Sequence, residues 1–409
     1  MSTSATIGSA PTGAALGGRL LKPLLWITVA AGALVTFEPS PYEFGFLLLC
    51  WAVFLERVPF PRLLLMPTLL LVVLFGVGGL LSVMNVIHNF DAIRYVGISI
   101  YLAISTVVIA AVIAQDPMER LALVRSAYIT AALIAATAGI YGYFTEHELF
   151  TLYGRARGTF KDPNVYGPFL IFPALLLLQD FLRPRGARAI ISGLLLAVIL
   201  VGLLLSFSRA AWGHFLGSTV MMAYLMFVTS DSAVLRFRVL IGALTAVVAV
   251  AILTAGLLSV PEVRTVFEIR ANSQSYDTGE TGRFAMQLRS IPSLIDRPFG
   301  YGPLEYGKIY GQDPHNVYLN SFSAYGWIGA MGYIGFVVVT WLVGLRCTFR
   351  ATPWRHYHIA AVSTFTLVTL EGFVVDTDHW RHFFLLGGLI WGMAAATIAM
   401  PTSQRRATI

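Results

Sequence analysis

The residue types best suited to chemistry gather in one polar, aromatic-rich run, GYGPLEYGKIYGQDPHNVYLN from Gly300 to Asn320, in a chain otherwise built almost wholly from apolar segments. The run holds His315 between Pro314 and Asn316 and leads into an apolar helix expected to start near Phe322. A histidine at the mouth of such a helix is a candidate general base, because an unperturbed pKa of about 6.5 lets it accept a proton near neutral pH. A loop histidine in contact with water is the plainer alternative, and His315 taken alone does not decide between them. Guanidinium groups supply the second half of a possible reaction, since they bind phosphate bidentately and stay charged at any working pH. Arg283 and Arg289 lie six apart in ETGRFAMQLRSIPSLIDRPFGYG, so at most one need face a ligand; Arg283, beside Gly279 and Gly282, is the better placed. Arg264, Arg270 and Arg297 read as a solvated face.

Two further basic stretches precede these. GRARGTFKDPNVYGP places Arg155, Arg157 and Lys161 just before an apolar run, and SFSRAAW places Arg209 at a tight junction between two more. An arginine at membrane depth costs roughly 2.5–3.5 kcal/mol on insertion scales and therefore calls for an anionic partner or a polar cavity. Arg209 reads that way, whereas Arg155 reads as a side chain snorkelling to headgroups. The last polar run, DTDHWRH from Asp376 to His382, has the residue types of a metal site. A salt-bridged loop joining Asp376 or Asp378 to Arg381 is the preferred reading, and an acidic side chain there can also orient His315.

The elements that must position these residues are membrane helices. The 409-residue chain is 57% hydrophobic and 12% charged, whereas soluble domains carry about 25% charged residues. Its two cysteines sit in or at the end of apolar runs and form no CxxC motif. The net charge of +7 is scattered in short clusters, which fits membrane topology better than nucleic-acid binding. Apolar runs fall near 20–37, 43–58, 64–84, 95–115, 121–144, 164–182, 189–206, 210–229, 239–258, 322–345, 358–375 and 382–400. These read as about twelve spans of roughly 20 residues each. Residues 1–18 and 401–409 read as cytoplasmic tails and 19–258 as nine spans. The long connection 259–321 carries the histidine, and 322–400 holds the last three spans. With both termini cytoplasmic, 16 of the 28 Lys and Arg residues, Arg183, Arg185 and Arg188 among them, fall inside with five of the 21 acids, as the positive-inside rule requires. The long connection and His315 then lie outside, away from cytoplasmic nucleotides, where a substrate must arrive already activated.

In this order, GRARGTFKDPNVYGP, SFSRAAW, GRF with RPFGYG, HNVYL and the Gly-Trp-Ile-Gly helix start resemble the O-antigen ligase and polymerase superfamily from about Gly154 to Trp391. The resemblance implies an all-α glycosyltransferase of the bacterial inner membrane, with a GT-C-type fold and one long periplasmic loop. It implies a glycan donor carried on undecaprenyl diphosphate. No cofactor or metal is expected, because arginines can stabilise the leaving group and the nearest approach to a run of paired carboxylates is DTDHWRH itself. His315 becomes the base and Arg209, Arg283 and Arg157 the diphosphate ligands. Outside the resemblance, which gives the DTDHWRH loop no family role, Lys161, Arg289, Asn316, Asp376, Asp378 and Arg381 are candidate supporting residues, and Tyr301, Tyr306, Tyr310 and Trp327 are candidates to stack on sugars or equally interfacial aromatics. Ligation onto lipid A-core is favoured over repeat-unit or exopolysaccharide polymerisation. A transporter or flippase is the distant alternative, and it would place broken helices at matching positions of two halves.

Overall fold

Every apolar run coincides with a helix in the computed structural model, which describes residues 14–182, 186–271 and 282–400. The chain runs through α1 (Ala14–Ala31), α2 (Pro41–Leu55), α3 (Arg62–Val86), α4 (Phe90–Gln115) and α5 (Pro117–Thr145). A hairpin of β1 (Thr151–Leu152) and β2 (Arg155–Ala156) follows. Next come α6 (Pro163–Leu182), α7 (Ala187–Leu205), α8 (Arg209–Val228) and α9 (Ala233–Leu258). The long connection holds α10 (Pro261–Ala271), α11 (Arg283–Ile295) and the short α12 (Tyr306–Tyr310), before α13 (Val317–Thr348), α14 (Arg355–Glu371) and α15 (Arg381–Ala399).

Among the described residues eight helices are long and apolar enough to cross a membrane: α3, α4, α5, α6, α8, α9, α13 and α15. Leu20–Ala31, Pro41–Leu55 and Ala189–Leu205 are shorter apolar helices. The chain is an all-α polytopic membrane protein. Residues 1–13 and 401–409 of the expected tails, Arg183, Arg185 and Gly279 lie outside the described residues. The helix α1 begins inside the expected tail, and α13 begins at Val317 rather than near Phe322. Asn316 explains the earlier start, because a residue with a short side-chain acceptor in extended backbone is a preferred N-cap. Asn89, Asp116, Asp162 and Ser208 cap α4, α5, α6 and α8 in the same way, with Pro117 and Pro163 at the first helical positions.

Contacts sort the connections into two sets. Lys22 pairs with Glu119, Arg125 with Asp180, Gln179 donates to His356 O and Arg355 to Thr229 O, tying together connections expected on one side. Glu38 pairs with Lys161 and Arg94, Arg381 with Glu43, Asn89 donates to Glu305 and Arg155 to Ser206 O, tying together those expected on the other. The candidate residues therefore share one end of the bundle.

Close packing fixes that end. A Cβ on Gly78 of α3 would lie 2.3 Å from Gly329 N of α13, so the two backbones touch, the small-residue packing that membrane helices use where lipid gives no hydrophobic drive. The long helix α13 breaks at Gly326 (φ +67°, ψ −175°). The RPFGYG segment docks there, with Trp327 N–H donating to Pro298 O and Tyr301 N–H to Ser323 O, both at 2.9 Å.

Candidate active site

His315 is placed from three directions. On its C-terminal side the Asn316 cap accepts from Tyr318 N–H (3.0 Å) and Leu319 N–H (3.2 Å), and Val317 N–H donates to Gly372 O at 2.8 Å. From α11, Gln287 donates to Phe373 O at 3.0 Å and reaches His315 O at 3.5 Å, while Arg283 donates to Val374 O at 3.0 Å. From the connection after α14, Asp376 Oδ2 approaches His315 Nδ1 to 3.8 Å. The His315 backbone is left-handed (φ +46°), a conformation that costs a non-glycine residue of order 1–3 kcal/mol and persists only where surroundings impose it. Its position is thus set by α11, the start of α13 and the residue 372–376 segment together.

Electrostatics favour a neutral imidazole. Burial pushes His315 below the usual histidine range; Asp313 and Asp162 oppose this and Arg283 adds to it. Asp376, at 3.8 Å, is beyond hydrogen-bond range. Burial, with repulsion from Asp378 and Asp313, holds its carboxyl well above the usual carboxylate range, so a protonated Asp376 brings no charge to raise His315. An uncharged imidazole at neutral pH is the form that accepts a proton.

Two residues along, the environment reverses the outcome for a second carboxyl. Asp378 is 1% exposed and accepts from Tyr325 (2.6 Å) and Tyr95 (2.9 Å), with His379 Nδ1 at 3.3 Å. Burial pushes its pKa up, but His379 and the two phenolic donors outweigh burial and leave it below the usual range. Burial lowers His379 while Asp378 raises it further, and the net shift is upward. The other His379 nitrogen, Nε2, faces Tyr95 O (3.1 Å) and Ser99 Oγ (3.2 Å), so the ring of an ionised pair is bonded at both nitrogens.

A cavity of about 340 Å³ opens beside this pair. Asp376, Asp378, His379, Trp380, Arg381 and His382 line it from one continuous segment, together with Glu38, Lys161, Asp162, Phe160, Asp313, Asn320 and Tyr95 from other parts of the chain. The DTDHWRH run is therefore a wall of the cavity. Its expected internal salt bridge is replaced: Arg381 reaches across to Glu43 of α2 (Nε–Oε1 3.0 Å), which Tyr101 also bonds at 2.8 Å. The physical reason is that Asp378 is already taken by two phenols and His379. Among the described residues no three His, Cys, Asp or Glu side chains are grouped to hold a metal ion.

The other arginines have distinct surroundings. Arg155 is buried rather than snorkelling, donating to Ser206 O and Asn164 Oδ1, both at 2.8 Å. It braces the α7–α8 junction against the hairpin, through hydrogen bonds that are worth about 1.5–3 kcal/mol when charged. Arg157 bonds the carbonyls of Glu148 (2.9 Å) and Lys161 (3.2 Å), and Lys161 pairs with Glu38 at 3.1 Å. Arg209 is exposed at the first turn of α8, and Arg289 is exposed on α11. Among the described residues the cavity lining includes none of Arg157, Arg209, Arg283 and Arg289. Tyr301, Tyr306 and Tyr310 pack on one another, with ring centroids 4.5–5.9 Å apart, and Trp327 donates to Leu294 O.

Sequence reasoning missed the Tyr95, Tyr325 and Ser99 partners of Asp378 and His379, and it missed a pair buried in the bundle, His214 Nδ1 to Glu371 Oε2 at 2.7 Å. The one available signal was a polar residue inside an apolar run, which identifies no partner. No curated protein matches the chain. The family model described as O-Antigen ligase matches residues 192–334, a stretch that includes Arg209, Arg283 and His315 but neither the hairpin nor the 376–382 wall, so this part of the chain is similar to that family.

Proposed function

We propose that the chain is an O-antigen ligase-type glycosyltransferase of the bacterial inner membrane, with about twelve spans in a GT-C-type arrangement and its site on the periplasmic face. It moves a glycan from undecaprenyl diphosphate to a sugar hydroxyl, lipid A-core being the favoured acceptor. The observation that carries this reading is that His315 is influenced both by the Arg283 guanidinium on α11 and by Asp313 and Asp162, two carboxyl groups that line the cavity.

In the reaction the acceptor oxygen attacks the anomeric carbon while the bond from that carbon to the diphosphate oxygen breaks. The hydroxyl proton passes to the neutral His315, and the departing diphosphate takes the bond's electron pair. Arg283 and Arg209 hold that charge, with Arg157 beside them, so no metal is required. One displacement inverts the anomeric centre. Asn316 acts through His315 by capping the helix that begins just after it.

Purified protein in nanodiscs, given a lipid-diphosphate-linked glycan and an acceptor, is expected to form an inverted glycosidic bond in the presence of EDTA. Retention of configuration, or activity that vanishes with EDTA and returns with a divalent ion, overturns the mechanism. Loss of the gene in its host separates two acceptors: bare lipopolysaccharide core supports ligation, whereas core capped with one repeat supports polymerisation with the same donor chemistry.

A further inference from the structure

His315 is influenced by one cation, Arg283, and by two carboxyl groups, Asp313 and Asp162, that line the cavity. The cavity's own cations are already engaged: Lys161 with Glu38, Arg381 with Glu43 and His379 with Asp378. Among the described residues its remaining carboxyl groups have no arginine or lysine paired with them. Asp162 accepts from Asn164 N–H (2.6 Å) and Asp313 from Gly307 N–H (2.9 Å), while Asp376 Oδ1 is buried and bonded to nothing among the described residues. A second, independent sign of an absent ligand is His382. It is 4% exposed and lines the same cavity, yet its Nε2 has no hydrogen-bond partner among the described residues. Native interiors leave few buried polar atoms unpaired, so two on one cavity wall call for a polar occupant.

We infer that this cavity is the acceptor subsite, and that it takes the uncharged or ammonium-bearing end of a glycan and turns away sugars that carry phosphate or carboxylate. This rests on the reading of His315 as base. Carboxyl groups accept hydrogen bonds from neighbouring sugar hydroxyls, and a protonated Asp376 can donate as well. Trp380, Tyr95 and Phe160 offer apolar faces to the C–H side of a pyranose ring. At about 340 Å³ the space suits a short glycan end, being near the small limit of ligand pockets, about 300–1,000 Å³. An added anion would find Asp162, Asp313 and Asp378 without an unengaged cation to pair with among the described residues.

The test uses full-length protein in nanodiscs and four probes that differ in charge: methyl glucoside, methyl glucosaminide, methyl glucuronide and glucose 6-phosphate. Affinities are read by saturation-transfer NMR titration. The first two are expected to bind at least about tenfold more tightly than the last two, because like-charge juxtaposition in a site is costly. The difference should shrink with added salt and in Asp313→Asn, whose amide oxygen still accepts from Gly307 N–H. Equal or tighter binding of the anionic probes, or binding of none, overturns the inference, and wild-type protein alone is enough to decide it. A protein that shows the preference but transfers no glycan from a lipid-linked donor overturns the transferase reading and leaves a sugar-binding site. One that transfers glycan yet takes anionic acceptors equally well overturns the present inference alone.

Discussion

The two ends of the helix bundle use charge differently. At one end Lys22–Glu119 and Arg125–Asp180 stand in solvent, with side chains 31–42% exposed, and simply join connections that are already short. At the other, Arg381–Glu43 is 12% and 20% exposed and the Asp378 carboxylate 2%, and each is bonded further by tyrosine hydroxyls. Exposed pairs contribute about 0–1 kcal/mol each. Buried ones recover a desolvation cost and are weak evidence for stability in themselves. Polar groups committed at such cost to one end are better explained by what that end must bind than by what the fold requires.

The contrast between the ends is tested hardest at His315. His315→Ala is expected to lower turnover on a lipid-linked donor by about 10²–10⁴-fold, the usual contribution of a general base. Wild-type turnover by well-folded mutant protein would remove the chemistry from this end. Arg209→Lys and Arg283→Lys should impair donor binding nearly as much as the alanine variants, because lysine keeps the charge and loses the planar fork. Retained binding in Arg209→Lys would make Arg209 a charge anchor. Arg283 also tethers Val374, so its variants need an unfolding measurement alongside.

Stability measurements probe the same contrast. Asp378→Ala leaves a half-buried His379 without its carboxylate and two phenols without their acceptor, and is expected to cost up to about 3–5 kcal/mol in unfolding, the penalty for breaking a buried pair. Arg125→Ala should stay within about 1 kcal/mol. Similar losses at both would mean that the two ends do not differ. The smallest effect is on pH dependence. Because burial lowers the His315 pKa, the base form survives below the ordinary value of about 6.5, and the acid limb of turnover should fall below that pH. An acid limb above it would mean that Asp313 and Asp162 outweigh burial.

Much of this arrangement was legible in the sequence. Apolar runs of membrane length located the helices because that signal is local, whereas the start of the helix after His315 was placed near Phe322, five residues late, because the Asn316 cap was not read. Asp378 was not legible as a buried hub: its partners Tyr95 and Tyr325 lie 283 and 53 residues away, and each reads locally as one more interfacial aromatic. Arg155 was misread for the same reason, since only folding brings Ser206 O and Asn164 to it. The salt bridge expected within 376–382 failed because the competing partner, Glu43, comes from α2. Residues whose role depends on a distant element carry no mark of it in their own segment.

The break in α13 makes the helix start a lever on a locked pivot. Backbone with φ +67° and ψ −175° is open essentially only to glycine, and a Cβ on Gly326 would lie 2.7 Å from Pro298 O. The nine residues from Val317 to Tyr325 are therefore aimed independently of the membrane-crossing remainder, while the docked 298–301 segment keeps the aim from drifting. Rigidity at His315 is obtained from backbone geometry about three helical turns away. Gly326→Ala should then misdirect His315 and depress turnover while every side chain at the site is still present, a lesion in alignment rather than in chemistry.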